Sequence, residues 1–175
     1  MSGYSAFRSQ HPVLLALCAV SLAASACGTT PATTATTATA DANAEVVRRS
    51  IEEGWNGKNY AVLPDLYAAT YVPHTNGQRD TLSGPAAVEA AIKAAHQQSP
   101  DYVITIEETF ATADRVVTRW VWKSTDVPTG KPMQIAGTFV GRVAEGKLVE
   151  GWNNFDLLAA TLGTGATLTP APPKK

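Results

Sequence analysis

From Ala44 to Trp55 the apolar positions Val47, Ile51 and Trp55 recur every fourth residue, while Arg48, Arg49, Glu52 and Glu53 fill the other side. That is one buried stripe of an amphipathic helix, and Gly57 is placed to end it. Asn59 is positioned to cap a short second helix through Leu63, Leu66 and Tyr67, which Pro64 must break or restart. Tyr71 to Leu82 has no clear period, and His74-Thr75-Asn76-Gly77 marks a turn. Ser83-Gly84-Pro85 opens a third helix, whose stripe is Val88, Ile92 and Ala95 and whose end is Ser99-Pro100. His96 falls on the side of that helix expected to meet solvent.

From Tyr102 the period drops to two. Tyr102, Ile104 and Ile106 share one strand face, then a turn falls near Ala113-Asp114. Val116, Thr118, Trp120 and Trp122 share a face of the next strand, with Arg119 and Lys123 opposite. Val127-Pro128-Thr129-Gly130 connects to a third strand through Met133, Ile135, Gly137, Phe139 and Gly141. Glu145-Gly146-Lys147 turns into a last strand. Regular alternation there puts Leu148, Glu150, Trp152, Asn154 and Asp156 on one face and Val149, Gly151, Asn153 and Phe155 on the other. Two acids, an amide and an indole make a poor packing face unless they line a cavity or meet water. Three helices followed by an antiparallel sheet of four strands or more is an α+β layout, with the helices covering one face.

The flanks have a different composition. Met1 to Ala26 carries a single charge, Arg8, an apolar run from Pro12 to Val20, and small residues up to Cys27. This is the pattern of an export signal, and the apolar run is too short to span a bilayer. Ala24-Ser25-Ala26 suits ordinary cleavage. The same residues before Cys27 also resemble a bacterial lipobox, with Ala24 in place of the usual leucine. Acylated Cys27 would then anchor the chain to a membrane of the cell envelope. Residues 27–43, rich in Thr and Ala, read as a disordered tether, and residues 164–175 as a Pro-rich tail. The domain is placed at 44–163.

Cys18 and Cys27 are the two cysteines, so the domain itself has no disulfide and no thiolate metal site. After Cys27 there are 13 basic and 15 acidic side chains with no basic block, which argues against nucleic acid as a partner. The three histidines show no metal-ligand spacing, and neither a metal nor another cofactor is expected. Glu107 and Glu108 are adjacent and so are expected to point apart, while Arg119 and Glu150 are candidates for a cross-strand ion pair.

Several segments, in order, resemble SnoaL-like polyketide cyclases of the NTF2-like superfamily. They are Trp55-Asn56-Gly57-Lys58-Asn59, Tyr71-Val72-Pro73-His74, Ser83-Gly84-Pro85-Ala86-Ala87-Val88 and Asp114-Arg115-Val116-Val117-Thr118-Arg119-Trp120. Pro128-Thr129-Gly130, Gly146-Lys147-Leu148-Val149-Glu150, Trp152 and Asp156 complete the match. The resemblance implies a cone-shaped barrel in which a curved sheet wraps around helices, with a pocket at its mouth. It further implies a homodimer, and a cofactor-free aldol-type ring closure in which Asp156 is the general base. His74 and Asn56 would stabilise the developing enolate oxygen.

The chain departs from the family pattern before Pro128-Thr129-Gly130. A shorter loop, Ser124-Thr125-Asp126, lacks the family's histidine there.

Asp156 therefore has three readings: a base, a polar group of the pocket, or the N-cap of the element beginning near Leu157. Trp55, Asn56, Trp120, Trp152 and Asn154 are candidate substrate-binding residues, with core packing the alternative for the tryptophans. Two functions follow: an exported cyclase or isomerase acting on a small carbonyl compound, or an envelope lipoprotein that binds a small apolar ligand or a protein partner.

Overall fold

The computed structural model divides the chain into Met1–Thr30 and Pro31–Lys175, and describes residues 32–169 of the latter. The export signal and Cys27 lie outside the described residues. The elements run α1 (Ala32–Arg49), a π-helical turn (Ser50–Asn56), a 3-10 turn (Tyr60–Val62), α2 (Leu63–Leu66), β1 (Tyr67–Thr75), β2 (Gln78–Arg79) and α3 (Gly84–Gln98). They continue with β3 (Val103–Ala111), β4 (Arg115–Thr125), β5 (Pro132–Ala144), β6 (Lys147–Phe155) and α4 (Leu157–Gly163). The six strands form one curved, mixed sheet in the order β2-β1-β6-β5-β4-β3, the α+β arrangement that the resemblance implies.

The helices cover the inner face of this sheet as the hydrophobic pattern requires. Val47, Ile51, Val88 and Ile92 are buried against Tyr71, Ile104, Val116, Trp120 and Leu148 in one core. Each fully buried aliphatic side chain there contributes on the order of 1.5–3 kcal/mol.

Three elements differ from the sequence expectation. The first helix starts at Ala32 rather than Ala44, so the segment assigned to the tether is helical from that residue on. Alanine has the highest helix propensity, and the buried Asn43 fixes the helix by donating from Nδ2 to the carbonyls of Thr112 (3.3 Å) and Ala113 (2.9 Å). The second helix stops at Leu66 and Asn59 does not cap it; Tyr67 instead begins β1. β1 pairs in parallel with β6, His74 opposite Trp152 and Thr75 opposite Asn153, and the Asn76-Gly77 turn hands the chain to β2.

Two bulges set the remaining geometry. In β6, Arg142 faces Glu150 and Val143 faces Leu148, leaving Val149 without a partner on β5. The alternation therefore changes phase: Leu148 is buried inside, and beyond the bulge it is Gly151, Asn153 and Phe155 that face inward. In β3 the register shifts at Glu107, which brings Glu107 and Glu108 together on Arg119, Glu108 at 3.9 Å. The expected Arg119–Glu150 pair does not form. Glu150 instead bonds Arg142 (3.2 Å) and His74 (3.1 Å).

Candidate functional site

A cavity of about 780 Å³ lies between the helices and the inner face of the sheet. α1 and the π-helical turn supply Val47, Ile51 and Trp55 to one wall, and α3 supplies Val88 and Ala91. The sheet wall carries Tyr71, Trp120, Phe139 and Phe155. The rim is exposed and comprises Gln78 to Leu82 together with Leu157.

The strand backbones make room for the rings. A Cβ on Gly137 would lie 2.3 Å from the Trp120 ring, and one on Gly151 would lie 2.3 Å from the Tyr71 hydroxyl and 2.7 Å from Phe139. Glycine in a strand weakens pairing but admits such close approach. These two positions let large aromatic side chains lie flat on the inner face.

Most inner polar groups are committed to structure. The Ser50 and Tyr67 hydroxyls bond one another, and burial pushes the Tyr67 phenol up against the opposing hydrogen bonds from Ser50 and Trp55. Asn76 Oδ1 accepts from the Phe155 amide (3.0 Å), and the Thr75 hydroxyl donates to Asp80 (3.2 Å). Tyr71 and Tyr102 are buried phenols whose desolvation holds them well above the usual tyrosine range. Among the described residues no group of three or more His, Cys, Asp or Glu is arranged to hold a metal ion.

The sequence-predicted residues divide. Trp55 and Trp120 line the cavity. Asn56 does not: its carboxamide donates to Ile104 O (2.8 Å) and accepts from Ile104 N (2.9 Å), acting as a substitute strand partner on the free edge of β3. Trp152 and Asn154 are not on the cavity wall, because the Val149 bulge turns them to the outer face. His74 borders the cavity, yet its Nε2 contacts Glu150 and its ring stacks on Trp152 with centroids 5.3 Å apart and planes 6° apart. The hydrogen bond from His74, followed by Arg142, holds the Glu150 carboxyl below its ordinary value.

Asp156 is exposed and absent from the cavity wall. Its Oδ1 accepts from the Ala159 amide at 2.8 Å, which makes it the N-cap of α4. Of its three readings, the cap is the one this geometry displays. His96 is partly buried rather than solvent-facing, its Nε2 donating to the Trp55 carbonyl at 2.8 Å. That carbonyl lies in the π-helical turn, where the last turn leaves acceptors without helical partners.

Tyr71 and Asn153 are cavity residues that the sequence did not single out. Tyr71 fell in a stretch without period, and Asn153 was assigned to the opposite face. Gly151 was the available signal, since a glycine inside a strand marks a close approach.

Comparison with solved structures finds the same fold. A SnoaL-like polyketide cyclase candidate from Jannaschia sp. CCS1 is 19% identical with a TM-score of 0.67, covering 74% of this chain and 95% of its own. IdmH from Streptomyces antibioticus, a polyketide cyclase candidate, is 21% identical at TM-score 0.62, covering 71% and 99%. AclR from Streptomyces galilaeus, a hydroxylase candidate, is 17% identical at 0.61, covering 70% and 95%. At these identities the likeness is one of fold, and a fold alone does not fix a reaction. No curated protein matches the sequence. The family model for SnoaL-like polyketide cyclases matches residues 45–162. The chain belongs to the SnoaL-like polyketide cyclase family.

Proposed function

We propose that this chain holds a small apolar carbonyl compound in its cavity and acts as a binding module on the cyclase-type fold. The observation that carries this reading is the distribution of charge around the cavity. Among the described residues its inner walls are aromatic, aliphatic or uncharged polar apart from His74, which is held on Glu150. The two other ionisable side chains bar tyrosine that line it, Arg79 and Asp80, are exposed at the rim. A general base must come within hydrogen-bond reach of the proton it removes. Asp156 is instead engaged in capping α4.

The test is a fluorescence titration of the purified protein with prodan, a propionyl-naphthylamine dye whose emission rises and shifts when it leaves water. Saturable binding in the micromolar range, displaced by acetonaphthone, is the expected outcome; no change in emission would sink the reading. Asp156→Asn is expected to bind the dye as the wild type does and to keep its stability, since Asn caps as well as Asp. Asp156→Ala should lose about 1 kcal/mol.

Family membership favours a second reading, in which Asp156 serves as base in a ring closure or isomerisation. Turnover of a carbonyl substrate by the wild type and its abolition in Asp156→Asn would establish it.

We further propose export and acylation at Cys27, on the strength of the residues from Met1 to Cys27. Mass spectrometry of the membrane fraction is expected to find a lipid-modified N-terminal cysteine. An unmodified N-terminus would exclude the anchor.

A further inference from the structure

We infer that the Tyr71 hydroxyl and the Asn153 carboxamide orient the ligand, and that the ligand is an apolar compound carrying a carbonyl oxygen and a second oxygen substituent one strand repeat away. This inference rests on the ligand-holding reading given above.

Both groups face the cavity from adjoining inward positions of the sheet. The Tyr71 ring packs edge-on against Tyr67, with centroids 4.8 Å apart and planes at 70°, and its hydroxyl lies over Gly151. Asn153 is the next inward residue of β6, about 6.6 Å further along the strand.

Neither makes a side-chain hydrogen bond among the described residues, a condition they share with Tyr102 and Trp120, and they are the two that meet across the adjacent strands β1 and β6. Ser50, Tyr67, Thr75 and Asn76 also line the cavity, and each is bonded within the protein. Tyr71 is 4% exposed, and its hydroxyl meets the cavity. Asn153 is fixed through its backbone, whose carbonyl accepts from the Asn76 amide (2.9 Å), while its carboxamide is left unused. Among the described residues the buried side-chain polar atoms without a partner are His96 Nδ1 and Ser99 Oγ, so the Tyr71 hydroxyl is reached from the cavity, where a ligand group can take the place of water. In an apolar cavity a few convergent polar groups set the ligand's orientation.

Chemistry assigns the roles. Desolvation, reinforced by the neighbouring Tyr67 and Asp80, keeps the Tyr71 phenol neutral, so it is available as a donor. A donor selects an acceptor, here a carbonyl oxygen. The Asn153 carboxamide both donates and accepts, and so accommodates a hydroxyl or a second carbonyl.

The experiment compares the purified wild type with Tyr71→Phe and Asn153→Ala. The probes are prodan, acetonaphthone, hydroxyacetonaphthone and the hydrocarbon ethylnaphthalene, which lacks the carbonyl oxygen. The wild type is expected to prefer acetonaphthone over ethylnaphthalene by about tenfold, the value of one hydrogen bond. Tyr71→Phe should erase that preference while binding ethylnaphthalene as tightly as before, which also shows that the variant is folded. Prodan bound to Tyr71→Phe should emit at shorter wavelength, because its carbonyl has lost a donor. Asn153→Ala should weaken hydroxyacetonaphthone more than acetonaphthone.

An undiminished ketone preference in Tyr71→Phe overturns the inference while leaving the ligand-holding reading intact. Failure of every probe to bind the wild type overturns both.

Discussion

Raising the pH above 10 is expected to unfold this domain in a single cooperative step. Tyr67, Tyr71 and Tyr102 are buried, and each has its phenol raised above the ordinary value of 10.0, chiefly by desolvation. In the unfolded chain the same groups ionise near 10. The stabilisation of the neutral form is therefore fully present below that pH and is lost as pH climbs from 10 toward the folded values. Once the unfolded phenols are ionised, each costs about 1.4 kcal/mol of stability per further pH unit. Three together remove about 4 kcal/mol per unit, against a total of roughly 5–15 kcal/mol for a typical domain. Tyrosinate absorbance and far-ultraviolet circular dichroism should therefore change together in a steep transition taking up more than one hydroxide. A shallow titration that leaves the dichroism unchanged would show that these phenols reach water in the folded state.

Gly137→Ala is expected to cause the largest loss among conservative single substitutions in the sheet. The added methyl would lie 2.3, 2.5 and 2.7 Å from three carbons of the Trp120 ring, far inside contact distance. Trp120 has little freedom to withdraw. It is 5% exposed, lies directly opposite Gly137 on β4 and packs near Phe155 with centroids 6.5 Å apart. Overpacking of this kind costs about 1–3 kcal/mol, and the ring's confinement places the expected value near the upper end. The melting temperature should fall by roughly 10 °C, accompanied by a change in the near-ultraviolet tryptophan signal. A fall of less than about 2 °C would mean that the ring moves aside easily, and that the cavity wall is softer than its packing suggests.

Much of the fold was legible because local pattern and tertiary environment agree. The Val47–Ile51 stripe, the Val88–Ile92 stripe, the proline-led start of α3 and the alternation along β4 all follow from which side of an element is buried. β1 was not legible. Tyr67-Ala68-Ala69-Thr70-Tyr71 has no simple alternation, and its strand form depends on parallel pairing with residues some eighty positions later. The helical start at Ala32 was hidden by a composition that also suits a disordered chain.

The candidate site was half legible. Trp55 and Trp120 could be placed by period alone, whereas Asn56 carries an amide that could equally meet a ligand or a backbone. Its partner, the edge of β3, is visible only in three dimensions. Asp156 was ambiguous for a similar reason, since a carboxylate at the end of a strand is also a carboxylate at the start of a helix.

The unpaired Val149 gives the last strand two alternative linings, of which only one is in use. Gly151, Asn153 and Phe155 now meet the cavity, while Glu150, Trp152 and Asn154 occupy the opposite phase. Because side chains alternate with a period of two, flattening the bulge so that Val149 pairs opposite Arg142 would exchange the sets and bring an acid and an indole to the interior, whereas deleting Val149 would leave the present set in place. The chemical character of this interior is thus governed by the pairing of one strand as much as by residue identity. In a lineage of such domains, a change that flattens this bulge while keeping its residue would convert a neutral binding chamber into an acidic one without altering a single wall residue.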